Sequence, residues 1–315
     1  GPGGFGVANG EPFAIQPVLT VSDGGTATVS CSVDNGATVS VSHNIGGVSS
    51  DSLTNIEGIK GSTNASNNLV GNNQNNTLIG GDLTDIIKGV SGTNSLNGGA
   101  GNDTIFAGTG SDAVDGGTGN DDWLNYSDLS GSTNVAVNLR NNSATYGSST
   151  DSITAIEHLT MSNGTNLVQG NQSANSFVGG SGADTLSYSG ATAGITLNVT
   201  SNGAGTTTGD GADTFLNFEN YILSDNADTA NLNAVHGSTI NAGALSDTAS
   251  YSSVAISLTV TVNSGNTSAT VSDGTKTDTL QNIENVIGSN YDDTIIGTTD
   301  NNTILAGNGN DIIVA

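Results

Sequence analysis

Apolar residues return along this 315-residue chain with a period of nine. In each copy, a glycine-rich polar run is followed by one apolar residue between two others that are mostly polar. A turn followed by such an alternating triplet predicts a short strand with one side chain pointing into a core. The copies open at Gly71, Gly80, Gly89, Gly98, Ala107, Gly116, Gly170, Gly179, Gly288, Gly297 and Ala306, and their apolar eighth residues are Leu78, Ile87, Leu96, Ile105, Val114, Trp123, Phe177, Leu186, Ile295, Ile304 and Ile313.

A longer repeat separates these blocks. It ends in an Asp and a Glu six residues apart, and three of its four copies contain an upstream Tyr-Ser pair. Alternating runs such as NVAVNL (134–139) lie between the pair and the Asp, and they predict strand, turn and strand. Each long repeat is therefore expected to insert a hairpin that returns to the nonapeptides. The Asp-to-Glu segments are 51–57, 151–157, 213–219 and 278–284, and the tyrosines are Tyr126, Tyr188 and Tyr251.

The two repeats divide the chain into five segments. The first is extended and interrupted by Pro12 and Pro17, and we expect it to lie along a neighbouring subunit, because solenoid ends expose unpaired strand edges. The fourth segment is an eroded unit, in which Asp228 and Asp247 are candidate remnants of the nine-residue rhythm. The segments are an N-terminal extended segment (1–20), a first β unit with the longest nonapeptide block (21–122), and repeat units at 123–185, 186–248 and 249–315.

The charge of the chain changes this picture. Its 29 acidic residues face four basic ones, so the formal net charge is −25. Such a chain repels nucleic acid and anionic lipids, and salt bridges cannot balance its carboxylates. Either the chain stays expanded or it folds with bound cations, for which calcium is the natural candidate. Cys31 is the sole cysteine, which excludes an intramolecular disulfide, and no stretch is long and apolar enough to predict a membrane span.

The nonapeptide pattern resembles the calcium-binding GGxGxDxUx repeat of RTX (repeats-in-toxin) proteins. The stretch GGAGNDTIFAGTGSDAVDGGTGND (98–121) carries the resemblance most strictly. The resemblance implies an elongated all-β fold, a parallel β-roll or β-solenoid in which two copies complete one coil, here with hairpin-like insertions. It also implies several bound Ca²⁺ ions. A secreted, extracellular or cell-surface location, typical of Gram-negative bacteria, follows from the same resemblance.

The aspartates at the sixth position are the candidate calcium ligands. If one coil takes two copies, Asp103 and Asp121 stack on one edge of the roll and Asp112 lies on the opposite edge. Stacked carboxylates repel unless a divalent cation lies between them, and turn carbonyls can complete an oxygen cage for calcium. The strict copies, which have glycine at the second and fourth positions, carry Asp103, Asp112, Asp121, Asp184 and Asp311.

Other copies depart from the motif. Asp85 and Asp293 keep the acid but lack the fourth-position glycine, so we expect weaker binding there. Asn76, Asn94, Asn175 and Asn302 replace the acid with an amide, for which a metal-free coil is favoured. The candidate metal-binding residues are Asp85, Gly99, Gly101, Asp103, Gly108, Gly110, Asp112, Gly117, Gly119, Asp121, Gly180, Gly182, Asp184, Asp293, Gly307, Gly309 and Asp311.

The remaining chemistry-bearing residues predict no catalysis. The histidines His43, His158 and His236 are isolated and lack metalloprotease spacing, and no GxSxG or CxxC motif occurs. We therefore expect a protein that is not an enzyme. Trp123 is interpreted as a core residue of its repeat. The recurring Glu57, Glu157, Glu219 and Glu284 either ligate metal or cap backbone amides, and capping is favoured.

Two functions remain after these exclusions. The favoured one is a secreted calcium-binding structural protein, a subunit or segment of a surface layer, filament, matrix or adhesin. The alternative is a calcium-triggered RTX export and folding module of a larger secreted toxin or hydrolase. The expected partners are calcium and either further copies of the chain or neighbouring surface proteins. A third function, a module that binds or processes an anionic polysaccharide, is disfavoured because four basic residues are too few for a groove that binds a polyanion.

Overall fold

A computed structural model describes much of the chain. The N-terminal residues 1–18, Cys31 and Glu57 lie outside the described residues, and so do the expectations placed on them. Within the described residues the chain forms strands and turns, and none of these residues forms a helix that could cross a membrane. The described ranges are 19–22, 26–28, 38–44, 48–54, 58–61, 63–64, 66–201, 203–263, 268–297 and 303–314.

The described residues form 33 short strands. The first twelve are β1 (Leu19–Ser22), β2 (Thr26–Thr28), β3 (Thr38–Asn44), β4 (Val48–Thr54), β5 (Gly58–Lys60), β6 (Asn67–Val70), β7 (Thr77–Gly81), β8 (Ile86–Lys88), β9 (Ser95–Gly99), β10 (Thr104–Phe106), β11 (Ala113–Asp115) and β12 (Trp123–Asn125). The next ten are β13 (Ala136–Asn138), β14 (Ser143–Tyr146), β15 (Ser149–Thr154), β16 (His158–Thr160), β17 (Leu167–Gln169), β18 (Ser176–Val178), β19 (Thr185–Ser187), β20 (Thr196–Ser201), β21 (Ala204–Thr208) and β22 (Ala212–Leu216). The last eleven are β23 (Asn220–Ile222), β24 (Thr229–Leu232), β25 (Thr239–Asn241), β26 (Thr248–Ser250), β27 (Thr259–Val262), β28 (Ser268–Ser272), β29 (Thr277–Gln281), β30 (Asn285–Ile287), β31 (Thr294–Ile296), β32 (Thr303–Leu305) and β33 (Ile312–Val314).

These strands build two long, mostly parallel sheets of 18 and 15 strands. Successive nonapeptide strands alternate between the sheets, which is the arrangement of an elongated all-β roll. The larger sheet runs in the order β2, β1, β5, β7, β9, β11, β15, β14, β13, β17, β19, β23, β25, β29, β28, β27, β31, β33. The smaller sheet runs in the order β4, β3, β6, β8, β10, β12, β16, β18, β22, β21, β20, β24, β26, β30, β32.

The core lies between the two sheets and uses the apolar residue of each short strand. Leu78 lies opposite Leu96, and Leu96 lies opposite Val114, so one coil takes two nonapeptides. These three side chains are at most 2% exposed. Burying an aliphatic side chain of this size contributes about 1.5–3 kcal/mol. The predicted parallel β-roll is therefore confirmed.

The predicted insertions lie within the sheets. In each insertion the middle strand pairs antiparallel with both of its neighbours, and the outer strands continue the parallel ladder. The three meanders are β13–β14–β15 and β27–β28–β29 in the larger sheet and β20–β21–β22 in the smaller sheet. The long repeats therefore extend the roll without interrupting it.

The prediction that Trp123 is a core residue is wrong. Leu124 lies opposite Ile105 and is fully buried, whereas Trp123 is half-buried and packs on the His158 ring at 4.8 Å between centroids. The copy that opens at Gly116 contains one extra residue, which moves the ladder acid and the buried apolar residue of this copy one place later in the sequence. Two other expected core residues differ as well: Ile304 is partly buried and Ile313 is 63% exposed, because β33 is the outermost described strand of its sheet.

Candidate functional site

The sixth residues of the nonapeptides form hydrogen-bonded ladders along the two edges of the roll. The Asp103 Oδ1 atom accepts the backbone N–H of Asp85, one coil earlier, at 2.7 Å. On the opposite edge, Asp112 Oδ1 accepts the N–H of Asn94 at 2.6 Å. These aspartates are at most 3% exposed. Each ladder carboxylate therefore uses one oxygen to satisfy the backbone of its neighbouring coil.

The predicted stacking of Asp121 on Asp103 is wrong. The backbone N–H of Asp103 donates to Asp122 Oδ1 at 2.7 Å, so Asp122 is the ladder residue. The Asp121 side chain is 57% exposed and pairs with His158 Nε2 at 2.5 Å. The extra residue in this copy offers two adjacent acids for one position, and burial of Leu124 selects the second.

The glutamates of the long repeats continue the same ladders. Glu157 Oε2 accepts the backbone N–H of Asp122 at 3.0 Å. The favoured capping role is therefore confirmed for the three described glutamates, whereas Glu57 lies outside the described residues. The other pairs are Glu219 with the N–H of Asp184 and Glu284 with the N–H of Asp247, both at 2.9 Å.

The tyrosines of the long repeats bind the aspartates of the same repeats. The Tyr126 hydroxyl donates to Asp151 Oδ2 at 2.8 Å, while Asp151 Oδ1 accepts the ladder N–H of Asp112 at 2.8 Å. Both oxygens of this carboxylate are therefore satisfied by the protein. The sequence showed the Tyr-to-Asp spacing but assigned no role to it. The equivalent pairs are Tyr188 with Asp213 at 2.6 Å and Tyr251 with Asp278 at 3.0 Å.

A second group of ladder aspartates is satisfied by its own turn. The Gly81 N–H donates to Asp85 Oδ2 at 2.5 Å. Similarly, Asp293 Oδ2 accepts the Ser289 N–H at 2.8 Å, and Asp293 Oδ1 accepts the Ser289 hydroxyl at 2.7 Å. Segment 224–228 forms the same serine contacts. We call these closed turns, in which the residue four places earlier donates to the ladder side chain.

A third group has no such donor. Before Asp103, Gly99 and Gly101 adopt φ values of 102° and 110°, a left-handed conformation that favours glycine. We call a turn open when the residues four and two places before the ladder residue both have positive φ. The buried Asp103 Oδ2 atom has no hydrogen-bond partner. Among the described residues, the ladder aspartates with an unpartnered buried Oδ2 are Asp103, Asp112 and Asp247, which follow open turns, and Asp122 and Asp184, which do not meet the definition of an open turn.

Ladder asparagines show which backbone atoms surround the ladder side chain when no carboxylate is present. In the open turn before Asn94, the Nδ2 atom donates to the carbonyl oxygens of Ser91 and Gly92 at 3.3 and 3.5 Å. Asn166 makes the same kind of contact in a closed turn: its Oδ1 accepts the Ser162 hydroxyl at 2.8 Å, and its Nδ2 donates to the carbonyl oxygens of Ser162 and Gly164. Turn carbonyls therefore converge on the second atom of the ladder side chain. An amide satisfies them as a donor, whereas a carboxylate oxygen is an acceptor and cannot.

The strict aspartate turns place oxygens around a tight space. A Cβ atom at Gly98 would lie 2.3 Å from Asp103 Oδ2 and 2.2 Å from the Gly116 carbonyl oxygen. A Cβ atom at Gly119 would lie 2.8 Å from Asp122 Oδ2 and 2.1 Å from a backbone carbonyl oxygen. A side chain at either glycine would collide with these oxygens. Glycine is therefore required at both places by close approach.

The candidate glycines fall into two classes. Gly119 and Gly182 do not have left-handed φ values, so positive φ is not a general property of the fourth position. A Cβ atom at Gly182 would lie 1.8 Å from a backbone carbonyl oxygen, which explains the need for glycine there. The candidate glycines with positive φ are Gly99, Gly101, Gly108, Gly110, Gly117, Gly180, Gly307 and Gly309.

Burial raises the pKa of the unpartnered aspartates. Desolvation raises the pKa of Asp103 to about 7, and it raises the pKa of Asp112, Asp184 and Asp247 to about 6. Neighbouring carboxylates add to the effect, as Glu284 does for Asp247. A bound cation would offset the desolvation of these carboxylates and lower their pKa, because it would favour the ionised form.

The donor set fits calcium. No group of three His, Cys, Asp or Glu side chains that could hold a metal lies among the described residues. An ion at these edges would therefore take carboxylate oxygens together with backbone carbonyls. Calcium accepts six to eight such oxygens in irregular geometry, whereas zinc prefers a few nitrogen and sulfur ligands.

Comparison with known families agrees with this chemistry. The model of the RTX calcium-binding nonapeptide repeat matches the chain in four copies, at residues 62–89, 88–122, 162–190 and 287–315. Asp85, Asp103, Asp112, Asp122, Asp184, Asp293 and Asp311 lie within these matches. No curated protein matches the chain at a significant level.

Proposed function

We propose that this chain, which carries RTX calcium-binding nonapeptide repeats, is a secreted structural protein that calcium folds and stiffens. It would form a subunit or segment of an extracellular surface layer, filament, matrix or adhesin. The observation that carries this proposal is the burial of the ladder aspartates, which are at most 3% exposed at Asp103, Asp112 and Asp184. Carboxylates so enclosed serve the fold and cannot reach a large substrate.

The proposal assigns calcium to turns whose carboxylate lacks a protein partner. Asp103, Asp112, Asp122 and Asp184 have such an oxygen. Asp311 joins them because Gly307 and Gly309 give its turn the open conformation and its Oδ1 accepts the Asp293 N–H at 2.9 Å. Bound calcium would supply the positive charge that these acceptors lack.

Besides Asp121, the proposal leaves two candidate ligands without an ion. In the Asp85 turn, Oδ2 is hydrogen-bonded to Gly81 and Oδ1 accepts the backbone and side-chain N–H groups of Asn67. In the Asp293 turn, both oxygens are bound by Ser289 and Oδ1 also accepts the Leu258 N–H. Calcium there would have to displace several hydrogen bonds, each to a charged group and worth about 1.5–3 kcal/mol.

Continuity of the roll supports a structural role. The insertions are part of the two sheets, so strand pairing runs from β2 to β33 in one sheet and from β4 to β32 in the other. Stability in such a solenoid is a sum of contacts between neighbouring coils, which calcium at the edges would strengthen. RTX repeats are typical of secreted proteins of Gram-negative bacteria, where extracellular calcium is available.

Electron microscopy of the purified chain tests the structural role. In calcium we expect rods that associate into filaments or arrays, and a chelator should disperse them. The double variant Asp103→Asn with Asp112→Asn should assemble at a lower calcium concentration, because its amides can donate to the turn carbonyls, whereas Asp82→Asn, an exposed charge change in the same block, should assemble like the unmodified chain. A calcium-loaded, folded chain that stays monomeric at high concentration would contradict the proposal and favour a folding module.

A further inference from the structure

We infer that Asp247 holds an additional calcium ion, in a turn that the nonapeptide pattern does not identify. Residues 191–286 lie outside every match to the repeat family. The turn reads NAGALSD (241–247) and has leucine where the motif has its fourth-position glycine. The inference rests on the proposed function, because it assumes that unpartnered ladder carboxylates bind calcium.

The backbone of this turn is that of the strict-copy turns that end at Asp103 and Asp112. Gly243 and Leu245, four and two places before Asp247, have φ values of 94° and 76°. Non-glycine residues rarely adopt this left-handed conformation. Leu245 is 68% exposed, so packing of its side chain does not hold it there. The turn has therefore lost the glycine but kept the open geometry.

The Asp247 side chain is fully buried, and only one of its two carboxylate oxygens has a hydrogen-bond partner. Its Oδ1 atom accepts the Asp228 N–H at 2.7 Å, while its Oδ2 atom has no hydrogen-bond partner. A Cβ atom at Gly243 would lie 2.0 Å from the Ser224 carbonyl oxygen and 3.3 Å from Asp225 Oδ1. The backbone of this turn therefore lies against a carbonyl and a carboxylate oxygen of the preceding coil, which are the kinds of atom that calcium binds.

A repeated pairing supports the assignment independently. Glu284 Oε2 accepts the Asp247 N–H at 2.9 Å, which places a second carboxylate beside the first. The same contact occurs twice more among the described residues, each time with an aspartate that lies within a family match and has an unpartnered Oδ2. These two pairs are Asp122 with Glu157 and Asp184 with Glu219.

Asp228 is the adjacent ladder residue and provides the contrast. Its Oδ1 accepts the Ile195 N–H at 2.5 Å and the Ser224 hydroxyl at 2.8 Å, and its Oδ2 accepts the Ser224 N–H at 2.8 Å. Both oxygens are taken by protein donors, so this turn is closed. Asp228 and Asp247 are therefore ladder aspartates of neighbouring coils, and we expect a calcium ion at Asp247 and none at Asp228.

Counting bound ions in the full chain tests the inference. By native mass spectrometry and calcium titration, Asp247→Asn should bind about one ion fewer than the unmodified chain. It should also need less calcium to fold, because the new amide can donate to turn carbonyls as Asn94 does in its open turn. Asp228→Asn should bind the same number of ions as the unmodified chain. It should need more calcium to fold, because the new amide N–H groups would face backbone N–H donors.

The outcomes separate this inference from the proposed function. A chain that binds no calcium would overturn both. A chain that binds calcium with an unchanged count in Asp247→Asn would overturn the Asp247 site alone. If Asp247→Asn fails to fold, anomalous diffraction from calcium-grown crystals of the unmodified chain decides: an ion beside Asp247 Oδ2 supports the site, and ions elsewhere with none there overturn it.

Discussion

Replacing Asn94 with aspartate should create a calcium site. Val90 and Gly92, four and two places before Asn94, have φ values of 70° and 95°, so this turn is open. Asn94 Nδ2 donates to the carbonyl oxygens of Ser91 and Gly92 at 3.3 and 3.5 Å. In Asn94→Asp, a carboxylate oxygen would face these carbonyls, as in the strict aspartate copies.

The cost of this change without calcium follows from the contacts. An unsatisfied buried acceptor costs about 1–3 kcal/mol. The new charge also lies beside Asp112, whose Oδ1 accepts the Asn94 N–H at 2.6 Å. If about five or six ions bind as the chain folds, 1–3 kcal/mol corresponds to a rise of about 1.3- to 3-fold in the calcium concentration that half-folds the protein. At a calcium concentration about a hundred times the Kd of the new site, the bound ion stabilises the folded state by about 2.7 kcal/mol.

Calcium titration followed by circular dichroism measures the folding midpoint, and native mass spectrometry counts the ions. The matched control is Asn76→Asp, because Asn76 Oδ1 accepts the Asn72 N–H at 2.8 Å and its turn is closed. We expect about one extra ion in Asn94→Asp and none in Asn76→Asp. A folded Asn94→Asp protein with an unchanged ion count would refute the distinction between open and closed turns.

Three further predictions follow from other contacts. Tyr188→Phe should lower the free energy of unfolding in calcium by about 1–3 kcal/mol in urea titrations, with the ion count unchanged, because Asp213 Oδ2 loses its 2.6 Å hydrogen bond; an unchanged midpoint would show that the pair is dispensable. Glu219→Gln should weaken calcium binding in isothermal titration while still accepting the Asp184 N–H, and unaltered affinity would contradict a role for the glutamate charge. Burial raises the pKa of Asp103 from 3.8 to about 7, so protonation stabilises the metal-free fold below about pH 4 and this stabilisation is lost as the pH rises through 7. Metal-free protein should therefore gain β structure on acidification from pH 7.5 to 5, and a spectrum independent of pH over this range would argue against buried, unpaired carboxylates.

Much of the fold could be predicted because each nonapeptide contains the residues that specify its own turn and strand. The apolar residue of each copy and the glycine-rich turn before it specify a strand and its inward side chain, as Leu78 and Leu96 show. The register of the copy that opens at Gly116 could not be predicted in this way. Asp121 and Asp122 are adjacent acids, and only the position of Leu124 opposite Ile105 within the smaller sheet decides which of them joins the ladder.

The site was only partly predictable because hydrogen bonds between coils decide it. Gly81 matches the second-position glycine of the motif, yet its N–H closes the Asp85 turn. Leu245 breaks the motif, yet its turn is open. The role of Tyr188 was likewise hidden, since its partner Asp213 is 25 residues away and meets it only in the folded roll.

The calcium dependence of folding tests the central claim most directly. Among the described residues, five buried ladder aspartates have an unpartnered oxygen. At about 1–3 kcal/mol each, the total cost is roughly 5–15 kcal/mol, comparable to the whole net stability of a domain. Circular dichroism and calorimetry at neutral pH should therefore show loosely structured metal-free protein and a cooperative gain of β structure in calcium. A chelator should reverse the gain, and magnesium should substitute poorly because it resists irregular oxygen cages. An identical spectrum and melting temperature with and without calcium would contradict the account.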